Sequence, residues 1–255
     1  MELKMKLGLV LALCCLLSAC GGGGGGSSGN SAQPAVAVAP KPPAKTHITI
    51  FLDGDSTNWG VDTEYPSQKT PNTPAMRMQK DFDLALPGLV TVIDGSISGS
   101  SFPDDLQTGG PVTVPLATRL AALATPADIV ITNSQINDQY VFNETMDQYA
   151  TWVKLWDETV RAANAMPIHE EPNPVCRIPG SNLPVTDQFV STMNSTASAD
   201  SVPVLPVYNA FKAYPGWCTV LLGSDAEHPN DAGYAFKESH YFPPLLVIVN
   251  KMLQG

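Results

Sequence analysis

Positive charge is sparse in this chain. Lys and Arg number 14 against 24 Asp and Glu in 255 residues, for a formal charge of −10. With no Lys/Arg cluster, that balance argues against the basic surface that nucleic-acid binding requires. It also keeps the folded part away from anionic lipid head groups, since like charges repel. Histidine is scarcer still, at four residues, and cysteine numbers five. No internal repeat is found, which removes the solenoid and propeller architectures. The N-terminal apolar run, Leu7 to Leu17, falls short of the ~20 residues that a membrane-spanning helix needs. A Gly-x-Ser-x-Gly nucleophile elbow is also missing: Gly95-Ser96-Ile97-Ser98-Gly99 has isoleucine where the serine would stand.

What is present begins with an export pattern. Lys4 and Lys6 precede the Leu7–Leu17 run, as in a secretory signal, so residues 1–19 are expected to be a signal peptide. Leu17-Ser18-Ala19-Cys20 resembles the lipobox of bacterial lipoproteins, which implies a lipidated Cys20 carrying acyl chains such as palmitate. Each buried methylene adds roughly 0.8 kcal/mol of membrane affinity, so several chains anchor durably. Gly21, a non-acidic residue after the cysteine, is compatible with the outer membrane. From Gly21 to Lys45 the composition is Gly/Ser-rich and then Pro-rich, a disordered tether with no apolar surface to bury. Residues 46–255 are left as one domain, expected to be monomeric. Export removes Cys14 and Cys15 and lipid consumes Cys20. Cys176 and Cys218 remain, and two thiols in an oxidising compartment are expected to form a disulfide.

Apolar, β-branched runs recur along the domain at His47–Leu52, Leu89–Ile93 and Asp128–Thr132, with a fourth strand at Ala165–His169. Their near-continuous apolarity means burial on both faces, as in a parallel sheet covered by helices. A short fifth strand is expected within Val202–Val207, at an edge, because two prolines forbid a central ladder position. Helical spacing marks Pro115–Leu123, Asn143–Ala165 and Leu183–Met193. A last helix starts at the cap pair Asn230-Asp231 and is expected to break or restart at Pro243-Pro244. Strands alternating with helices predict a three-layer α/β/α sandwich around a mostly parallel sheet of about five strands. Ligands sit at the carboxyl ends of such strands, and Ser56, Gly99 and Asn137 each fall just past one.

Four short blocks carry the chemistry. Gly54-Asp55-Ser56 follows the first strand, Ser98-Gly99 follows the second and Ile136-Asn137-Asp138 follows the third. Asp225-Ala226-Glu227-His228-Pro229 comes near the end. A serine hydroxyl is a weak nucleophile until a base takes its proton, and a carboxylate three residues before a histidine can orient that base. Among the four histidines only His228 has this arrangement. His169 beside Glu170-Glu171 lacks a second ligand for a metal, so no metal or other cofactor is expected. Trp59 reads equally as pocket lining or as rim packing. Asn133 reads as structural. Asn143-Glu144-Thr145 and Asn194-Ser195-Thr196 match a glycosylation pattern that a bacterial lipoprotein gives no reason to invoke.

In this order, the four blocks resemble the SGNH (GDSL-type) hydrolase family, over nearly all of the folded region. The resemblance implies the flavodoxin-like fold of that family and ester hydrolysis. It implies Ser56 as nucleophile, His228 as base and Asp225 as its partner. The oxyanion donors would be the Ser56 and Gly99 N–H groups and the Asn137 amide. The family usually has Gly-x-Asn-Asp where this chain has Gln135-Ile136-Asn137-Asp138. Gly-Asp-Ser-Thr in place of Gly-Asp-Ser-Leu also occurs in carbohydrate acetylesterases of the family. The implied partner is an ester-bearing small molecule, lipid or polysaccharide. Acyl transfer to an envelope sugar is the alternative chemistry, and a non-catalytic envelope lipoprotein keeping the fold is the alternative class.

Overall fold

The structure is a computed structural model that describes residues 43–140, 144–176 and 183–255. The signal segment, Cys20, most of the tether and Asn143 lie outside the described residues. Residues 41–255 form one compact unit. In chain order it runs β1 (Ile48–Leu52), α1 (Ser56–Trp59), α2 (Pro74–Ala85), β2 (Val90–Asp94), α3 (Phe102–Gln107), α4 (Leu116–Ala121), β3 (Ile129–Thr132) and α5 (Ile136–Tyr140). It continues with α6 (Met146–Ala162), β4 (Met166–Glu170), α7 (Leu183–Ala199), β5 (Val204–Leu205), α8 (Tyr208–Ala213), α9 (Trp217–Val220) and α10 (Asp231–Gln254).

The five strands form one sheet in the order β2-β1-β3-β4-β5, and every pairing is parallel. Strand alternation divides the core in two. Ile48, Ile50, Leu52, Ile129, Ile131 and Ile168 face α2, α8 and α10, where they meet Met78, Phe82, Phe211, Tyr241, Leu245 and Val249. Phe51 and Val130 face the other way, onto Phe102, Leu120, Tyr149, Trp156, Val160 and Phe189. Helices therefore cover both faces, which is the three-layer sandwich the sequence predicts. Strand order reverses between β1 and β3, the switch point where a crevice opens at the carboxyl ends of a doubly wound sheet. β1 ends there, four residues before Ser56. β5 lies at an edge and is two residues long, as its flanking Pro203 and Pro206 require.

The final helix departs from expectation. α10 runs unbroken through Pro243 and Pro244. Each proline removes one i→i−4 bond, which takes that donor from the Ser239 and His240 carbonyls; Ser239 and Pro243 lie on the exposed face of the helix, and His240 and Pro244 are half-buried. Tyr241, Leu245 and Val249 stay buried at four-residue spacing on the opposite face, and this packing holds the helix across the gap. Elsewhere the boundaries move for local reasons. α6 begins at Met146 rather than Asn143 because Thr145 caps it in a capping box with Gln148. α7 continues six residues past Met193, with Ala197 buried. Helices α2, α3, α8 and α9 are not legible from apolar spacing.

One buried ion pair joins the last helix to the sheet. Lys237 Nζ of α10 lies 2.9 Å from Glu170 Oε1 of β4, and the two side chains are 2% and 1% exposed. Burial raises the Glu170 carboxyl above its ordinary value, while Lys237 pulls it down. Removing one partner of such a pair strands the other charge, at a cost of about 3–5 kcal/mol. Lys237→Met is therefore expected to lower the unfolding free energy from urea titration by that amount, with a lower midpoint, and Lys237→Met with Glu170→Gln to recover most of it. A single variant with an unchanged midpoint would show that the pair contributes nothing.

Candidate active site

The loop after β1 is shaped by its own short side chains. Gly54 has φ 115°, and a Cβ there would sit 2.1 Å from Asn133 Oδ1, so only glycine lets the β3 loop approach this closely. Asp55 is the N-cap of α1 and accepts from the Thr57 N–H at 2.8 Å and the Thr57 hydroxyl at 2.9 Å. Burial raises the Asp55 carboxyl above its ordinary value, against those opposing hydrogen bonds. Asn133 braces the same turn: its Oδ1 accepts from the Asp55 N–H at 3.3 Å, and its Nδ2 donates to Asp55 Oδ1 at 3.2 Å. Asn133 is fully buried, in keeping with a structural part. Helix α1 starts at Ser56 itself and is one turn long, rather than beginning after it.

Beneath this turn lies a buried polar anchor that sequence reading missed. The Asp53 carboxylate accepts from Arg119 Nη1 at 3.0 Å and from Trp156 Nε1 at 3.0 Å. Arg119 also reaches the Gly95 carbonyl at 2.8 Å and Asp105 at 2.7 Å. One guanidinium thus ties the ends of β1 and β2 together and donates to one oxygen of each of two buried carboxylates. An acidic residue ending an apolar strand was the available signal. Its partners, 66 and 103 residues away, could not be found from spacing.

Across the crevice the chain returns after α9. His228 Nε2 lies 2.8 Å from Ser56 Oγ, although 172 residues separate them. His228 Nδ1 lies 2.7 Å from Asp225 Oδ2. Asp225 Oδ1 accepts from the backbone N–H groups of Glu227 and His228, both at 3.0 Å, which fixes the carboxylate plane. Burial pushes Asp225 upward, but the hydrogen bond from His228 and the two backbone bonds outweigh it and hold the carboxyl at about 2. For His228 burial works downward, and Asp225, then Glu227 and Asp55, more than reverse it, so the imidazole lies above its ordinary value.

Gly99 lies on the loop after β2, and Asn137 lies in the first turn of α5 beside it. Gly99 has φ 85°, the left-handed region that favours glycine. The Gly54 carbonyl, two residues before Ser56, accepts from the Ile97 N–H at 2.9 Å and the Ser100 hydroxyl at 3.1 Å, binding the β2 loop to the nucleophile loop. Asn137 Nδ2 donates to the Ser100 carbonyl at 2.8 Å, using one of its two amide protons. Its neighbour Asp138 accepts from the Phe102 N–H at 3.1 Å. Gln135, where the family usually has glycine, is buried and donates to Gln139 Oε1 at 2.9 Å, so its side chain is taken into the core.

The other residues singled out from sequence have partners of their own. His169 is fully buried and paired with Asp157 at 2.8 Å. Glu170 holds Lys237, and Glu171 accepts from the Val207 and Tyr208 N–H groups at 2.9 and 2.8 Å. Trp59 is half-buried beneath the Lys69 ammonium, 5.1 Å from its ring centroid. Cys176 and Cys218 are joined in a disulfide.

A family model described as the GDSL-like lipase/acylhydrolase family matches residues 54–236. Among solved structures, a carbohydrate acetylesterase family member from Sinorhizobium meliloti aligns with a TM-score of 0.64 at 14% identity, over 80% of this chain and 99% of that one. A lipase/acylhydrolase from Enterococcus faecalis aligns at 0.59 and 18%, over 81% of this chain and 96% of its own. A psychrotrophic esterase from Pseudoalteromonas sp., in a structure inhibited by monoethylphosphonate, aligns at 0.57 and 17%, over 79% and 98%. At these identities the likeness speaks to the fold. No curated protein matches the chain.

Proposed function

Because the chain belongs to the GDSL-like lipase/acylhydrolase family and is an ester hydrolase, we propose that it works through an acyl-enzyme on Ser56, with His228 as base and Asp225 as its orienting carboxylate. The observation that carries this reading is the 2.8 Å contact between His228 Nε2 and Ser56 Oγ, within hydrogen-bond reach for proton transfer. The Ser56 oxygen attacks the ester carbonyl carbon as its proton passes to Nε2. The resulting imidazolium is stabilised by Asp225. The negative oxygen is received by the Ser56 and Gly99 N–H groups and by the second amide proton of Asn137. Such donors are each worth about 2.7–4 kcal/mol of transition-state stabilisation. As the carbonyl re-forms, the alcohol leaves with the proton from Nε2. Water then repeats the sequence on the acyl-serine and releases the acid. No step calls on a metal or an organic cofactor.

For the substrate, the reading favours a short acyl group on a sugar hydroxyl. The Gly54-Asp55-Ser56-Thr57 motif leans that way, and the aligned Sinorhizobium meliloti proteins are described as carbohydrate acetylesterases. A cavity of about 470 Å³ opens beside Pro229, the residue after His228, lined by Asp62, Thr63, Glu64, Thr70 and Asn230. Neither Ser56 nor His228 lines it, so it bears on the substrate as a neighbouring polar surface, which suits a hydroxyl-rich alcohol better than an alkyl chain. A p-nitrophenyl ester series from acetyl to palmitoyl on the purified protein is expected to give its highest kcat/KM at acetyl. A fluorophosphonate is expected to modify Ser56 and stop turnover of the whole series. An unlabelled Ser56 would end the acyl-enzyme reading, and a maximum at long chains would end the short-acyl one.

A further inference from the structure

The loop that carries Asp225 and His228 has an unusual feature at its crown. Ala226, a non-glycine residue, has φ 57°, a left-handed conformation that persists only where the surroundings enforce it. Inside the loop, the Ala226 N–H donates to the Gly223 carbonyl at 3.0 Å, and the Gly223 N–H to the His228 carbonyl at 2.8 Å. The outside of the crown is held by a different part of the chain, residues 171–176 after β4. The Cys176 N–H donates to the Ala226 carbonyl at 2.8 Å. Asn173 is fully buried, and its Nδ2 donates to the Glu227 carbonyl at 2.9 Å. Of the three peptides between Asp225 and His228, the last two therefore have their oxygens held by this strap.

The strap is itself pinned at both ends. At Glu171 the carboxylate takes the Val207 and Tyr208 N–H groups and also the Asn194 amide, at 2.7 Å. At the far end the Cys176–Cys218 bridge fastens it to α9, the element that leads into the acid–base loop. A cavity of about 700 Å³ is lined by both cysteines and by Asp225 and Ala226, so the bridge and the loop share one water-accessible wall. We propose that the strap is the positioning element for the acid–base pair, with the Asn173 amide and the Cys176–Cys218 bridge setting the stance of the His228 ring towards Ser56. This rests on His228 being the base of the reaction. Neither Asn173 nor the cysteines touch substrate in this role; they act through the loop, where a displacement of about 1 Å can cost ~10²-fold in rate.

Asn173→Asp keeps the shape but replaces the donor with an acceptor facing the Glu227 carbonyl. It is expected to lower kcat ten- to a hundred-fold with KM little changed. Cys176→Ser with Cys218→Ser is expected to do the same. In the cysteine variant, which adds no charge, a slackened Asp225–His228 contact shifts the acid limb of kcat/KM to lower pH, since the charged groups facing the imidazole are Asp225, Glu227 and Asp55 and Asp225 is the partner whose contact is loosened. The unmutated protein gives a third measurement. A trialkylphosphine with water converts the bridge to two thiols and leaves as the phosphine oxide. kcat is expected to fall while KM and the near-ultraviolet circular dichroism hold, and to return on reoxidation. An unchanged kcat in these three cases, or a loss that tracks loss of the folded signal, would overturn the proposal. Ser56→Ala separates the two levels. If its turnover survives, the reading of the site fails. If it is inactive while the strap variants match the parent enzyme, only the positioning role fails.

Discussion

Ser56→Ala is expected to lower kcat on a short-chain ester by at least about 10⁴-fold and to leave the fold intact. The reasoning is local. The substitution deletes one oxygen, and the turn does not depend on it, because the cap of α1 is the Asp55 carboxylate with its two bonds from Thr57. The buried brace from Asn133 and the Asp53–Arg119–Trp156 anchor beneath are also untouched. Without the hydroxyl no acyl-serine can form, and only the oxyanion donors and substrate binding persist, which retain a residual rate above that in water. Groups that act as a unit are not additive. His228→Ala should therefore cost nearly as much alone, and the double variant should be no slower than the worse single one. Steady-state rates with circular dichroism on the same samples check this. A Ser56→Ala protein that keeps more than a hundredth of the parent rate would show that the 2.8 Å contact is incidental and that turnover runs through another group.

The parts of this site that sequence revealed are those whose chemistry is written into residue type and order. β1 and β3 were legible because burial on both faces leaves an unbroken apolar run such as Ile48–Leu52; β2 departs from that expectation, being an edge strand with Thr91 exposed, and the alternation of strands with helices leads to the sandwich. The Asp225–His228 pair was legible because both partners lie on one loop, three residues apart. What was hidden depends on contacts across long separations. Asn173 lies 54 residues from Glu227, in a Pro-rich stretch that reads as plain connection, and nothing in its spacing marks the amide as a brace. Arg119 is one basic residue on a short helix, and only the folded sheet brings Asp53 and Asp105 to it. The helix at Pro243-Pro244 was misread for a related reason. Local propensity predicts a break, and burial of Tyr241, Leu245 and Val249 outweighs it.

Asp225→Asn is the substitution that separates orientation from charge, and its expected cost is about 10⁴-fold in kcat. Asp225 Oδ1 is claimed by the Glu227 and His228 N–H groups, both at 3.0 Å. Two donors there demand an oxygen, so the asparagine amide nitrogen is driven into the position of Oδ2, facing His228 Nδ1. An N–H aimed at Nδ1 forces that nitrogen to accept, which moves the ring proton to Nε2. Nε2 then has no lone pair to receive the Ser56 proton, and the base is held in the wrong tautomer although nothing has moved. The pH profile carries the second half of the effect. In the parent enzyme the imidazole lies above its ordinary value of about 6.5 because burial, which lowers it, is more than offset by Asp225 together with Glu227 and Asp55. Activity needs the neutral ring, so kcat/KM should rise with pH through a midpoint above 6.5. Asp225 itself, at about 2, stays ionised across that range. With asparagine in its place burial is opposed only by Glu227 and Asp55, so the midpoint should move to lower pH even as the plateau collapses. A variant with the parent midpoint and plateau would mean that the carboxylate neither orients nor charges the ring, and the loop would owe its geometry to something other than catalysis.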